Sequence, residues 1–226
     1  MSDLLSDERL TWFVARSTGV ICLVLLTVSL VLGVGASTRM SSVRWPRFVT
    51  QSLHRSVSLF ALGLLLAHVV AVIVDNFVRI TVLDAVIPFT STYRPVWMAL
   101  GTIAAELLVA VTVTSLLRHR IGYGTWRAVH WTSYACWPLA VVHGLGTGSD
   151  TRKGWNVWVT LACVLLVLFA IAWRVVEGWP RHAAVRVGAV VLTAFAVAVV
   201  FTWAKQGPFA PGWSKRANTP PPVVSR

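Results

Sequence analysis

The most regular feature of the chain is a series of long apolar segments separated by short polar linkers. A helix needs about 20 apolar residues to cross the roughly 30 Å hydrocarbon core of a membrane, and six segments approach that length. They cover approximately residues 18–36, 54–74, 96–117, 128–145, 155–173 and 183–204. The pattern predicts an all-α membrane protein whose residues 18–204 form a bundle of six transmembrane helices in contact with lipid.

The fourth segment differs from the others, because AVHWTSYACWPLAVVHGL mixes histidine, hydroxyl and proline residues with apolar ones. Polar side chains at this depth avoid lipid, so we expect this helix to face the interior of the bundle. Residues 1–17 are acidic and lack the basic start of a signal peptide, and we predict an external N-terminal segment there. Residues 205–226 are Pro-rich, which predicts an extended external tail without a core.

The composition narrows the class of protein. With 56% hydrophobic and 12% charged residues, the 226-residue chain is not an ordinary soluble domain. Its formal charge of +12 comes from short clusters of Lys and Arg between the apolar segments, which indicates topology signals and no nucleic-acid partner. Cys22, Cys136 and Cys163 all lie in apolar segments without a CxxC pair, so we predict small core residues rather than disulfides or zinc ligands.

The basic linkers predict how the bundle is oriented. The linkers after the first, third and fifth segments are the more basic ones, whereas Asp residues offset the arginines of the others. Short basic loops face the cytoplasm, so we expect a multi-pass plasma-membrane protein with both termini extracytoplasmic. The arginines that carry this prediction are Arg39, Arg44, Arg47, Arg118, Arg120, Arg127, Arg174, Arg181 and Arg186.

Four histidines in two pairs are the candidate functional residues. His54 and His68 stand fourteen positions apart in the second segment, and His130 and His143 stand thirteen apart in the fourth. A buried imidazole is costly unless something binds it. The second and fourth helices run in the same direction. We therefore expect His54 to share the cytoplasmic level with His130, and His68 to share a level with His143 about 20 Å further out.

Two facing imidazoles with no further ligand suit a metal that is already held in a plane, as in haem with two axial histidines. Zinc or copper would require additional His, Cys or carboxylate ligands, and the sequence offers none at either level. The alternative is that the imidazoles are satisfied by hydrogen bonds between helices.

The spacing of the second pair requires an adjustment of its helix. Fourteen residues bring His68 to within roughly 40° of His54, whereas thirteen leave His143 roughly 140° away from His130 in an ideal helix. Pro138 lies between them and removes one helical hydrogen bond. We therefore expect a kink or a local unwinding at Pro138 that restores a common direction.

The two pairs of histidines and their spacings, within about residues 39–173, resemble the ferric reductase-like transmembrane domain. That superfamily includes NADPH oxidases, ferric reductases and the haem-binding membrane subunit of the periplasmic methionine sulfoxide reductase system. The resemblance implies two stacked haem b groups whose irons are bound by His54 with His130 and by His68 with His143. It implies electron transfer from the cytoplasmic side, through the first pair and then the second, to an external acceptor such as a flavoprotein, metal ion or oxidoreductase partner.

The chain departs from the oxidases in one respect, because it leaves no room for their flavin and NADPH domain. We therefore expect a partner flavoprotein or a quinone to supply the electrons. The chain is then an oxidoreductase-type electron-transfer subunit, and its status as an enzyme stays open.

Other polar residues have two interpretations each. Arg55 could meet a haem propionate or extend to the lipid headgroups. Glu106, the one carboxylate near mid-membrane, could act on protons or quinone, or be a protonated acid bonded to a nearby Ser or Thr. His119 and His182 lie in basic linkers and are predicted to be solvated.

The second functional hypothesis is a non-redox transporter or structural subunit whose intramembrane His and Glu relay protons.

Overall fold

A computed structural model describes residues 8–38, 46–75, 78–177, 179–180 and 182–220. Within these ranges the chain is helical and contains no strand. The helices are α1 (Glu8–Ser37), α2 (Arg47–Val74), α3 (Val82–Val86), α4 (Pro95–Leu116), α5 (Arg118–Ile121), α6 (Tyr123–Trp131), α7 (Ser133–Thr147), α8 (Gly154–Glu177), α9 (Ala183–Gln206) and α10 (Trp213–Arg216).

Five helices of the described chain are long and apolar enough to cross a membrane. They are Leu10–Ser37, Arg47–Val74, Pro95–Leu116, Gly154–Glu177 and Ala183–Gln206. These confirm five of the predicted segments and a multi-pass membrane protein. The predicted fourth segment is divided into α6 and α7 at Thr132, and neither part reaches the length of a span. The first helix begins at Glu8, ten residues before the predicted span.

The local unwinding that we expected at Pro138 is not found and an interruption lies at Thr132 instead, while a kink at Pro138 stays a prediction. Helix α7 continues through Pro138, and the change in geometry lies six residues earlier. There the Thr132 N–H donates to the Val129 carbonyl (3.0 Å) and the Ala135 N–H donates to the Thr132 carbonyl (2.9 Å). Bonds across three residues tighten the helix, so this segment is overwound rather than unwound.

The helices pack around two central pairs. Helix α1 lies along α2 and also contacts α7 and α8, while α4 lies along α7. Midway along these helices, a buried apolar core separates the two levels of the bundle. It consists of Ala104, Leu108 and Cys136, with Leu26, Leu65, Leu107, Leu139 and Ala140 packed against it.

All three cysteines are buried, as predicted for small core residues. The Cys136 thiol lies 3.2 Å from the Ala104 carbonyl oxygen, and the Cys22 thiol lies 3.7 Å from that of Ala61. In contrast, α9 exposes an apolar surface along its length and touches the bundle mainly through α8. Such a surface suits lipid.

We name the two ends of the bundle by the segments found there. The loop end carries the connection at residues 117–122, and the tail end carries residues 207–220. The described chain begins at the tail end too, since the Thr11 hydroxyl donates to Asp75 (2.9 Å) just after α2. Residues 207–220 are folded onto this end, with Pro208 fully buried, and so differ from the extended tail that we expected.

Some residues of the sequence predictions lie outside the described ranges. Residues 1–7 and 221–226 belong to the predicted external segments. Arg39, Arg44 and Arg181 belong to the charge pattern. The predictions that involve them stay predictions.

Candidate functional site

The loop-end pair consists of His54 on α2 and His130 on α6. Their ring centroids lie 6.3 Å apart, and the ring planes make an angle of 77°. A histidine–metal bond is about 2 Å long, and the nitrogen lies about 1.1 Å from the centre of a ring with bonds near 1.33 Å. Two imidazoles on opposite sides of one metal ion therefore have centroids about 6 Å apart, which agrees with the spacing of this pair.

The tail-end pair consists of His68 on α2 and His143 on α7. Both line one cavity of about 330 Å³, within the size range of small-molecule and cofactor sites. Most of the remaining wall is apolar, with Leu23, Leu65 and Leu108 among its residues. The structure thus brings together both predicted pairs, one at each level.

Three of the four imidazoles are anchored in the same way. The Nδ1–H group of each donates to a backbone carbonyl of a neighbouring helix at 2.8 Å. The acceptors are Ser29 for His54, Ala15 for His68 and Trp97 for His143. Because a carbonyl oxygen only accepts, Nδ1 carries the proton and Nε2 keeps its lone pair. This is the arrangement of metal-ligating histidines, whose other nitrogen is fixed by a hydrogen bond.

A glycine accompanies each of these carbonyls. Gly19, Gly33 and Gly101 stand four residues after Ala15, Ser29 and Trp97, one helical turn further on. A Cβ on Gly19 would lie 3.0 Å from His68 Cε1, one on Gly33 would lie 3.2 Å from His54 Cε1, and one on Gly101 would overlap the His143 ring. The missing side chain therefore lets each imidazole reach the backbone.

His130 is the exception. Its Nδ1 is buried and has no hydrogen-bond partner among the described residues. The indole of Trp126, one turn earlier in α6, instead stacks on the His130 ring with centroids 5.0 Å apart and planes at 26°. The Trp126 Nε1–H donates to the Ser115 hydroxyl (3.2 Å).

The donor set fits haem better than a bare metal ion. In the part of the chain that the structure describes, no three His, Cys, Asp or Glu side chains come together. A zinc or copper site would require such a group. Haem brings its own four nitrogens and needs only two imidazoles and apolar walls. The tail-end cavity provides both, and the loop-end level provides the two imidazoles. The residues around the tail-end pair therefore fit a haem, and the loop-end pair has the spacing of two imidazoles on one metal ion.

The tail end of the cavity carries polar groups. Arg16 forms an ion pair with the buried Asp150, and Lys153 lies 3.2 Å from the same carboxylate. Tyr93 donates to the Thr147 carbonyl (3.1 Å). Burial raises the pKa of the Tyr93 phenol, although the neighbouring Arg94 acts in the opposite direction, so the phenol stays a neutral donor.

The remaining sequence candidates lie outside the two sites. Arg55 is exposed beside His54, a position compatible with either of its two interpretations. Glu106 is exposed on the outer face of α4 and makes no hydrogen bond within the described chain, so the expected bond to a Ser or Thr is not formed. His119 and His182 are exposed, as predicted.

The glycines and carbonyls of α1 and α4 were missed by reasoning from the sequence. A signal was present: Gly19 and Gly33 are fourteen residues apart, the same spacing as His54 and His68. Two antiparallel helices that repeat at the same interval meet in register at both levels. Arg16 and Asp150 carried no comparable signal, because their pairing depends on how the ends of α1 and α7 approach each other.

Comparison with known protein families gives one match. The family model described as "Ferric reductase like transmembrane component" matches residues 18–141, or 124 of the 226 residues. The match includes His54, His68 and His130, and it ends two residues before His143. The comparisons with curated proteins and with solved structures found no match. With more than half of its length matched, the chain belongs to the ferric reductase-like transmembrane family.

Proposed function

We propose that the protein is a di-haem b-type cytochrome that transfers electrons across the membrane. His54 and His130 would hold one haem, and His68 and His143 the other. The observation that carries this proposal is the arrangement of the imidazoles in pairs at two levels, with Nδ1 bonded to a carbonyl in three of the four. At each level haem supplies a carrier of one electron.

The basic residues support a direction for this transfer. Arg118, Arg120 and Arg127 lie at or near the loop end, which would then face the cytoplasm, with both termini outside the plasma membrane. An inside-negative potential favours outward movement of an electron by about 2.3 kcal/mol per 100 mV. The donor would be a partner flavoprotein or a quinone. The acceptor would be an external flavoprotein, metal ion or oxidoreductase partner.

The proton-relay hypothesis has less support. A relay needs titratable groups connected by hydrogen bonds, whereas three imidazoles are each bonded to a carbonyl of a neighbouring helix. Glu106 is exposed on α4 and has no hydrogen bond to any described residue. No chain of donors and acceptors within the described residues connects the two levels.

The absorbance spectrum of the purified protein tests the proposal. The dithionite-reduced minus oxidised spectrum should show the bands of b-type haem, and the alkaline pyridine assay should give two haems per chain. His119→Ala is the control for the loss of a histidine outside the two pairs. Because His119 is exposed, this substitution should leave both haems in place. A protein that is purified folded from haem-replete cells and shows no such bands contradicts the proposal.

A further inference from the structure

The four imidazoles are not positioned in the same way, and the difference is confined to His130. For three of them a carbonyl and a glycine four residues later form the receiving surface. On α4 the carbonyl of Trp97 and Gly101 serve His143. Fourteen residues further along α4, at the loop-end level, the corresponding positions are Val111 and Ser115.

Ser115 changes what this part of α4 offers. Its hydroxyl donates to the Val111 carbonyl at 2.6 Å, at the position that corresponds to Trp97. Its side chain also stands where the other three sites have a glycine. His130 Nδ1, correspondingly, is buried without a partner in the described chain.

The Ser115 hydroxyl instead accepts the indole N–H of Trp126 (3.2 Å). Trp126 and His130 are one turn apart in α6, where side chains at i and i+4 lie on one face. Their rings stack with centroids 5.0 Å apart. The ring of His130 therefore rests on an aromatic surface that is itself held by α4.

We propose that Trp126, held by Ser115, is a positioning residue that fixes the plane of the His130 ring, in place of the carbonyl that fixes the other three. This inference rests on the proposed function, since the ring plane of a ligand matters only when the ligand binds haem. An imidazole without a hydrogen bond on Nδ1 is also the less basic ligand. The two haems are therefore unequal because of the protein around them.

The test is electron paramagnetic resonance of the oxidised full-length protein with both haems bound. The low-field line of a low-spin ferric haem depends on the angle between its two imidazole planes, which is 77° for His54 and His130. Trp126→Leu should shift the line of this haem and leave that of the His68 and His143 haem unchanged. The His143→Ala variant, which lacks a ligand of the tail-end haem, assigns the lines: the line that remains in this variant belongs to the loop-end haem.

Two further variants separate positioning from a general structural effect. Trp126→Phe keeps an aromatic ring but loses the bond to Ser115, and should shift the line less than Trp126→Leu. Trp131→Leu is the matched control, because Trp131 is adjacent to His130 in sequence but is exposed and contacts Tyr134 instead. It should shift neither line.

Each outcome decides between the ideas. The Trp126→Leu variant could lose the loop-end haem altogether while Trp126→Phe and Trp131→Leu retain it. That outcome supports the proposal in the same way as a shifted line. An unchanged line in Trp126→Leu, or a shift of the same size in Trp131→Leu, overturns it while the proposed function stands. A wild-type protein without any low-spin haem signal overturns the proposed function itself.

Discussion

At the residue scale, three histidines use one device, in which a helix carbonyl accepts from Nδ1 and a glycine one turn later makes room for the ring. The arrangement requires that the glycine have no side chain, because the imidazole edge lies against the helix backbone. His143 and Gly101 make the closest approach of the three. Any Cβ at position 101 must displace the His143 ring from the Trp97 carbonyl.

We therefore predict that Gly101→Ala reduces the haem content from two per chain toward one, through loss of the tail-end haem. Gly19→Ala and Gly33→Ala should have smaller effects, because their added carbons would lie 3.0 and 3.2 Å from ring atoms. Gly63→Ala is the control, since a Cβ at position 63 meets nothing within 4 Å. The substitution brings the same gain in helix propensity, about 1 kcal/mol, as the other three. Two haems with an unchanged spectrum in Gly101→Ala would show that the ring is not held this way.

At the element scale, the divided helix α6–α7 reconciles a thirteen-residue spacing with paired histidines. A tight turn advances about 120° per residue, against about 100° in an α-helix. Over about four residues near Thr132 this adds roughly 80°, and reduces the offset of His143 from His130 from roughly 140° to roughly 60°. The Thr132 and Ser133 hydroxyls donate to the Val129 and His130 carbonyls, both at 2.7 Å, and such bonds bend helices.

Removal of both hydroxyls should let a regular helix form between the two histidines. We predict that the double variant Thr132→Ala with Ser133→Ala lowers haem content at one or both levels, as measured by the pyridine assay. Thr193→Ala removes a similar hydroxyl–carbonyl bond (2.8 Å) from α9, far from both sites, and should have no effect. If the double variant retains two haems with normal spectra, the interruption does not set the pairing.

Hydropathy was sufficient to predict five spans and the levels of the histidines, because length and burial of apolar side chains decide both. Hydropathy could not place the interruption between α6 and α7, since one tight turn at Thr132 leaves the apolar pattern of the predicted fourth segment unchanged. Pro138 was the visible helix-breaking residue, yet α7 accommodates it. The Pro-rich composition of the tail likewise concealed the contact of Trp213 with Trp97, which depends on a residue 116 positions earlier in the chain.

At the scale of the whole molecule, the tail closes the end of the bundle that holds His68 and His143. Trp213 packs against Trp97, whose carbonyl anchors His143, with ring centroids 5.3 Å apart. The buried Arg94 donates to the Gly146 carbonyl (2.7 Å) and to the Thr219 hydroxyl (2.8 Å), and so connects α4, α7 and the tail. The tail-end site is thus covered by the chain itself, whereas the loop-end site lies beside basic residues.

The central claim is that two haems occupy two separate levels, and the haem content of double histidine variants tests it most directly. His68→Ala with His143→Ala removes both ligands of one level and should leave one haem per chain, as should His54→Ala with His130→Ala. His54→Ala with His68→Ala removes one ligand from each level and should leave none. If the same-level variants lose both haems, or the cross-level variant retains one with the wild-type spectrum, the paired assignment is wrong.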